Sequence, residues 1–184
     1  MELLISIMNT VHTGMRNLAL KKMQVKEDSI ILDIGCGGGK TINTLSKMIK
    51  SGKVYGIDYS QKAVENSVFI NRKDVKNGKD VKNGKVIITK ASVSLILFSE
   101  DSFDIVTAFQ THYFWPDLQN DVKEVFRVLK QSGCFMITAE VYKINYHMKK
   151  YKTKEEMEQL FREVGYSRVK FYENNGLICM VCRK

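Results

Sequence analysis

A glycine-rich turn, ILDIGCGGGKT at residues 31–41, offers the clearest chemistry in this 184-residue sequence. Turns of this kind between a strand and a helix hold nucleotides, because glycine lets the backbone approach a ligand closely. A P-loop for a triphosphate needs a glycine five positions before Gly39, where this chain has Ile34. A dinucleotide fingerprint needs a third glycine where this chain has Lys40. The triphosphate interpretation therefore fails, and the dinucleotide interpretation is weak.

The acids and glycines of the turn suit a ligand that is both a nucleoside and an amino acid. Asp33 is followed by glycines at positions 35, 37, 38 and 39, and a predicted helix comes next. The N–H groups and positive dipole at the start of that helix favour a carboxylate, while Asp33 can meet an ammonium group. Asp58 ends a second predicted strand, VYGIDYS, where a carboxylate accepts hydrogen bonds from ribose hydroxyls. S-adenosylmethionine (SAM) carries all of these groups.

Strands and helices alternate along the chain. The predicted strands are 29–35, 53–58, 85–90, 103–109, 134–142, 167–172 and 177–183, and the predicted helices are 3–23, 40–50, 60–72, 118–130 and 154–164. Ser60 is the expected N-cap of the third helix and Gly165 the C-terminal cap of the last. This alternation predicts an α/β fold with a parallel sheet covered on both faces, and the short turn ENNG predicts one antiparallel strand near the C-terminus.

Length and composition indicate one domain over residues 1–184. Hydrophobic residues make up 44% of the chain, but no apolar run approaches the ~20 residues that cross a membrane. The first residues, MELLISIMNTVH, make a poor signal peptide because the second residue is acidic and the apolar run is short. We therefore expect a cytoplasmic protein with no membrane span.

The net charge of +9 leaves two interpretations open. It can mark an anionic partner such as RNA, or a lysine-rich solvated surface. Lysines outnumber arginines by 23 to 6 and are spread along the chain, whereas proteins that read bases or phosphates more often use arginine. The solvated surface is favoured, and nucleic-acid binding stays possible.

The cysteines and histidines do not predict a metal site. Cys179 and Cys182 have redox-like spacing, but they lie in an apolar run that predicts a strand. In a strand, residues three apart point to opposite faces. We therefore expect these thiols to be packed in the core. His12, His112 and His147 do not have the spacing of metal ligands, so we expect no metal site.

Residues 73–78, KDVKNG, are repeated without change at 79–84. Two copies are too few for a repeat architecture. We interpret them as a small duplication in a surface loop, where added length costs little entropy. A basic recognition loop is the alternative.

From about Ile30 to Lys184 the sequence resembles the class I SAM-dependent methyltransferases, in the group that includes the ubiquinone/menaquinone-type enzymes. The resemblance is carried by ILDIGCGGG, VYGIDYS, ASVSLILFSEDSFDIV, THYFWPDL and KEVFRVLKQSG, in that order. It implies a Rossmann-like, doubly wound seven-stranded sheet of order 3-2-1-4-5-7-6 with strand 7 antiparallel. It also implies that residues 1–28, including His12 and Met15, fold over the cofactor as a helical lid.

The resemblance assigns cofactor-binding roles by position. The expected residues are Asp33, Gly35, Cys36, Gly37, Gly39, Asp58, Tyr59, Ser92, Val93 and Gln110. The glycine loop would lie under the methionine end of SAM, with Asp33 on its ammonium group. Asp58 would bind the ribose and Tyr59 would pack on the adenine. Gln110 would lie near the sulfonium and the acceptor.

Some positions depart from the family pattern. Ser92 and Val93 occupy the place of an Asp–Ala pair, so a carboxylate that reaches the adenine amino group is missing. Leu97 and Gln131 occupy usual proline positions, and Ser132 a usual glycine position. Two functions therefore remain. The chain is a methyltransferase, or it is a catalytically faded module that binds SAM or RNA.

The acceptor is expected to be a small molecule of unknown identity. His112 and Tyr113 follow the fourth strand, where open α/β sheets bind ligands, and are the candidate catalytic residues. Phe114 and Trp115 either wall the acceptor pocket or pack in the core. The residues FQTHY take the place of the Asp/Asn-Pro-Pro-Tyr motif of many amino-methylating DNA and protein enzymes, which lowers the case for a nucleic-acid acceptor.

Overall fold

The computed structural model of the protein describes residues 19–20, 22–76 and 84–184, which contain a seven-stranded β-sheet. The strands are β1 (Ile30–Ile34), β2 (Lys53–Asp58), β3 (Val86–Lys90), β4 (Phe103–Phe109), β5 (Leu129–Glu140), β6 (Arg168–Asn174) and β7 (Leu177–Arg183). Among these described strands the order is β3-β2-β1-β4-β5-β7-β6, and β7 runs antiparallel to both of its neighbours. The strand order and the antiparallel seventh strand are confirmed.

The helices of the described chain are α1 (Lys40–Met48), α2 (Gln61–Ile70), α3 (Arg72–Lys76), α4 (Leu118–Val128), α5 (Val141–His147) and α6 (Lys154–Val164), with a 3₁₀ turn at His112–Phe114. Both predicted caps are present. The Ser60 side chain accepts a hydrogen bond from the Ala63 backbone N–H at the start of α2. Gly165 ends α6 in the left-handed conformation, with φ 118°.

Apolar side chains fill both faces of the sheet. Ile31 and Leu32 are neighbours in β1 and fully buried, yet they belong to different core clusters because successive residues of a strand point to opposite faces. Cys179 and Cys182 of β7 are divided between the two clusters in the same way, and both are free thiols. Burial on both faces explains why these strands read as continuous apolar runs.

Several predicted boundaries were wrong around β5. The helix predicted over 118–130 ends at Val128, and β5 starts at Leu129 instead of Cys134. Between Leu129 and Cys134 the register of β5 against β4 shifts. Leu129 pairs with Phe103 and Cys134 pairs with Ile105, so five residues of β5 advance while β4 advances by two. The strand predicted to continue to residue 142 gives way to α5. That helix buries only Ile144, so it lacks the apolar repeat from which helices are predicted.

Part of the N-terminal prediction lies outside the described residues. This holds for His12, Met15 and most of the helix predicted over 3–23, and for part of the 73–84 repeat. Within the described part, Ala19 and Met23 are buried in the core cluster that contains Ile31. The described ranges contain no helix that is both long and apolar enough to cross a bilayer.

Candidate functional site

A cavity of about 400 Å³ opens where the carboxyl ends of β1, β2 and β3 meet the segment that follows β4. Since β1 lies between β2 and β4, the cavity is at the point where the strand order reverses, the usual ligand position in open α/β sheets. Its volume falls in the range of small-molecule sites. Five residues predicted to bind the cofactor line it together, namely Gly35, Asp58, Tyr59, Ser92 and Val93.

The Asp58 carboxylate ends β2 and is held by two backbone groups. One oxygen accepts a hydrogen bond from the Gly37 N–H at 2.9 Å, and the other accepts one from the Ser60 N–H at 2.9 Å. A carboxylate oxygen can accept two hydrogen bonds, so each retains capacity for a ligand. Two adjacent hydroxyl groups, as on a ribose, match this pair of acceptors.

The glycines of the turn have different tasks. Gly37 has φ 51°, and a Cβ built there would meet nothing closer than 4.0 Å, so the loop surface is open at this point. Gly39 is the N-cap of α1, and a Cβ there would lie 2.8 Å from the Ser67 Cα and nearer still to the Ser67 hydroxyl. Gly37 therefore leaves room for a ligand, whereas Gly39 permits α1 to pack closely on α2.

Asp33 is buried beneath the turn, 2% exposed, and is not part of the cavity lining. The Thr107 hydroxyl donates to one of its oxygens at 2.7 Å. Burial is the main cause that raises the pKa of Asp33 to about 7, with the nearby Asp58 charge acting in the same direction. A cation close to this carboxyl group would favour its ionised form.

Cys36 lies in the turn, but its side chain packs in the core cluster that contains Ile42. Burial raises the pKa of this thiol to about 12, so it stays protonated. Its contribution to the site is the backbone of the turn, where its N–H donates to the Ile57 carbonyl at 3.1 Å.

Tyr59, Ser92 and Val93 form the rim and wall of the cavity. Tyr59 is 80% exposed, which leaves its ring available to cover a bound group. The Ser92 hydroxyl accepts a hydrogen bond from the Ser94 N–H at 3.2 Å, and Val93 is buried in the core. This arrangement gives a largely apolar slot with one hydroxyl at its edge.

Gln110 lies outside the cavity lining, in a polar network at the carboxyl ends of β4 and β5. Its amide donates to Glu140 at 2.8 Å, and its carbonyl accepts from the Tyr113 hydroxyl at 2.8 Å. The Lys143 ammonium pairs with the same Glu140 carboxylate at 2.5 Å. Gln110 also has φ 60°, a backbone conformation that is uncommon for non-glycine residues and that four other described residues share.

His112 and Tyr113 are both buried in the 3₁₀ turn that follows β4. Neither ring nitrogen of His112 has a hydrogen-bond partner among the described residues, and burial lowers its pKa to about 3. Burial and the Glu140 charge raise the pKa of Tyr113 above its usual range. At neutral pH the imidazole is therefore uncharged and the phenol protonated.

Some site residues were missed by the sequence analysis. The Thr111 hydroxyl donates to the Ile34 carbonyl at 3.2 Å, and its side chain lies against Gly35. Glu140 anchors the Gln110 network. Both residues lie at or just after the carboxyl end of a parallel strand, which is the signal that would have selected them. Phe114 and Trp115 were predicted either to wall the acceptor pocket or to pack in the core. Both line the cavity, and Trp115 also stacks on the core residue Phe135.

The described residues contain no cluster of three or more histidine, cysteine, aspartate or glutamate side chains that could hold a metal ion.

Comparison with known proteins places the chain in a family. The family described as methyltransferase domain matches residues 25–178. The uncharacterized methyltransferase YcgJ of Bacillus subtilis is 31% identical over 121 residues, which cover 65% of this chain and 44% of that protein. The demethylmenaquinone methyltransferase of Lactobacillus johnsonii is also 31% identical over 121 residues, covering 65% and 47%. The chain thus spans about half the length of the curated relatives it matches.

A solved structure shows the same fold. The SAM dependent methyltransferase of Aquifex aeolicus superposes with a TM-score of 0.72 at 21% identity, covering 91% of this chain and 88% of that one.

The shape of the turn can be tested at two glycines. In Gly35→Ala the new Cβ would lie 2.8 Å from the Thr111 Cβ at a φ of 69°, so we expect a loss of about 1–3 kcal/mol in the free energy of unfolding. In the matched variant Gly38→Ala the Cβ meets nothing within 4 Å, and we expect a change below about 0.5 kcal/mol. Urea denaturation measures both. Equal losses would contradict the described turn.

The buried Asp33 predicts a pH-dependent gain in stability for Asp33→Asn. The pKa is about 7 in the folded chain against an ordinary value of 3.8 for an aspartate in water, so over this pH range the native state keeps a proton that the unfolded chain releases. The contribution of Asp33 to stability therefore falls as the pH rises from about 4 to about 7. Asparagine does not titrate and still accepts the Thr107 hydrogen bond. The variant should gain up to about 4 kcal/mol over the parent protein between pH 4 and pH 8.

The measurement is the free energy of unfolding of both proteins at pH 4 and pH 8, without added ligand. The other titrating groups contribute equally to both proteins, so their effect on the free energy of unfolding cancels when the two values are subtracted. A difference that does not change with pH would show that Asp33 titrates normally.

Proposed function

The chain belongs to the methyltransferase domain family, and we propose that it transfers a methyl group from SAM to a small organic acceptor. The observation that carries this proposal is the cavity in which Gly35, Asp58 and Tyr59 meet at the carboxyl edge of the sheet. The family supports SAM as the cofactor; residues of the cavity fit its ribose and adenine, and the adjacent glycine turn with the buried Asp33 fits its methionine end.

Asp58 would hold the ribose. Each carboxylate oxygen accepts one backbone hydrogen bond, from Gly37 or Ser60, and can accept one more. The two oxygens together match the two hydroxyl donors of a vicinal diol. A hydrogen bond to an ionised group contributes more than one between neutral groups. Asp58 therefore supplies much of the preference for a ribose-containing cofactor.

The apolar slot would hold the adenine. Ile57, Val93 and Trp115 line it, and the exposed Tyr59 ring can close over it. Ser92 offers a hydroxyl in place of the usual carboxylate, which weakens the contact to the adenine amino group without removing the apolar walls.

The glycine turn and Asp33 would hold the methionine end. The open surface at Gly37 leaves room for the ligand, and the start of α1 favours a carboxylate. A nearby ammonium group would offset the burial that raises the pKa of Asp33. The substitution that stabilises the free protein, Asp33→Asn, should for the same reason weaken cofactor binding.

When bound, SAM would supply a methyl group on a sulfonium: the acceptor would bond to the methyl carbon in line with the C–S bond, which would break with its electron pair going to the sulfur of S-adenosylhomocysteine. The protein must orient the acceptor, exclude water and, for a protonated acceptor, receive a proton. Of the two candidates, His112 has an unprotonated ring nitrogen without a hydrogen-bond partner among the described residues, and because the ring is buried outside the cavity lining, it accepts a proton only if the 3₁₀ turn opens towards the acceptor. The Tyr113 hydroxyl donates to Gln110 and stays protonated, so we assign it an orienting role.

We place the protein in the cytoplasm. Its four cysteines, Cys36, Cys134, Cys179 and Cys182, are all free thiols, which suits a reducing compartment.

Calorimetric titration tests the cofactor assignment. We expect SAM and S-adenosylhomocysteine to bind the parent protein, with NAD and ATP as controls that do not. Asp58→Ala should weaken binding about 10- to 100-fold, because two hydrogen bonds to a charged group are lost. Ser60→Ala removes the N-cap of α2 but keeps the carboxylate, and should bind within about threefold of the parent. Equal binding by Asp58→Ala would refute the assignment.

His112→Gln tests the proton-accepting role. The acceptor is first found by incubating the protein with a small-molecule extract and methyl-labelled SAM. The rate of S-adenosylhomocysteine formation should then fall on the order of 100-fold, with SAM affinity unchanged. Tyr113→Phe serves as the comparison and should lose less. Lost SAM affinity in His112→Gln would place the residue in the cofactor site, and an unchanged rate would remove it from the chemistry.

A further inference from the structure

Three aromatic side chains lead from the cofactor cavity to the protein surface. Phe114 lines the cavity and is 64% exposed. Its ring centroid lies 4.8 Å from that of His147, which in turn lies 4.9 Å from that of Tyr146. Tyr146 is 83% exposed. We call Phe114, His147 and Tyr146 the aromatic strip.

Within this strip the His147 ring is stacked on one face and the side chain stays accessible. Tyr113 stacks on that face with ring centroids 5.2 Å apart and planes 8° from parallel. Phe114 and Tyr146 meet the ring at steep angles of 63° and 87°, so neither stacks on it in parallel. The His147 side chain as a whole is exposed. The buried Tyr113 thus holds an imidazole plane on which another flat group can stack.

The chain around the strip is positively charged. Residues 140–152 contain four lysines and one glutamate, a formal charge of +3 without the histidine. The glutamate, Glu140, is already bound to Lys143 and Gln110. Lys149 and Lys150 are exposed and make no ion pair with any described residue. An anion is therefore favoured here over a cation.

We propose that the aromatic strip stacks the methyl acceptor, and that this acceptor is a small flat aromatic molecule carrying a negative charge. This inference rests on the proposed methyl transfer, since the strip begins in the cofactor cavity. The length of the strip selects a small molecule. Two ring-to-ring steps of 4.8 and 4.9 Å match one flat molecule, whereas nucleic-acid grooves hold about four or more nucleotides.

Four matched probes distinguish the effect of a flat ring on binding from the effect of a negative charge. Indole-3-acetate is flat and anionic, indole-3-acetamide is flat and neutral, tryptamine is flat and cationic, and cyclohexylacetate is anionic but not flat. Each is titrated by NMR into protein saturated with S-adenosylhomocysteine, and also into the free protein. We expect indole-3-acetate to bind most tightly and tryptamine most weakly.

Variants locate the binding. His147→Ala should weaken indole-3-acetate about three- to tenfold, and His147→Phe should restore it because the flat ring returns. The double variant Lys149→Gln/Lys150→Gln should weaken indole-3-acetate but leave indole-3-acetamide unchanged. Lys170→Gln, an exposed lysine on β6, should change neither.

Three results would overturn the inference. One is binding of tryptamine or cyclohexylacetate as tight as that of indole-3-acetate. Another is unchanged binding in His147→Ala. The third is tight, steeply salt-dependent binding of a single-stranded oligonucleotide that is lost in the same variants, which would make nucleic acid the occupant. Failure to bind S-adenosylhomocysteine would refute the proposed function instead. The titrations into the free protein would then still show whether the aromatic strip binds a flat anion.

Discussion

The carboxylate of Asp58 joins three pieces of the chain that meet at the cavity. It ends β2, and it accepts backbone hydrogen bonds from Gly37 in the glycine turn and from Ser60 at the start of α2. The turn, the strand and the helix are therefore fixed relative to one another by one charged side chain. Because these bonds use only part of the capacity of each oxygen, the group that organises the site also remains able to bind a ligand.

Two residues at the same edge of the sheet are held in states that cost free energy. Asp33 is a carboxyl group without water around it, and Gln110 has a left-handed backbone conformation. Such states persist where the surrounding structure determines them strongly, and they concentrate at functional sites. Here the Thr107 hydrogen bond holds Asp33, and Glu140 with Tyr113 holds Gln110. A cation near Asp33 would relieve the cost there by favouring the ionised carboxylate.

The sequence predicted the parts of this protein that follow from local rules. Glycines at fixed spacing and an acid at the next strand end indicated Gly35 and Asp58, and apolar runs indicated the sheet. What it missed depends on tertiary packing. The helix α5 has one buried residue, Ile144, and no periodic signal, yet it packs His147 against Tyr113 and Phe114 of the 3₁₀ turn. The packing role of Gly39 against Ser67 and the burial of His112 likewise depend on neighbours distant in sequence.

A crystal structure with bound S-adenosylhomocysteine would show whether the Asp58 cavity is the cofactor site. We expect both ribose hydroxyls within hydrogen-bonding distance of the Asp58 carboxylate, with the Gly37 and Ser60 hydrogen bonds retained and the adenine between Tyr59 and Val93. A ligand bound elsewhere, or a ribose that does not touch Asp58, would rule out Asp58 as the ribose-binding residue.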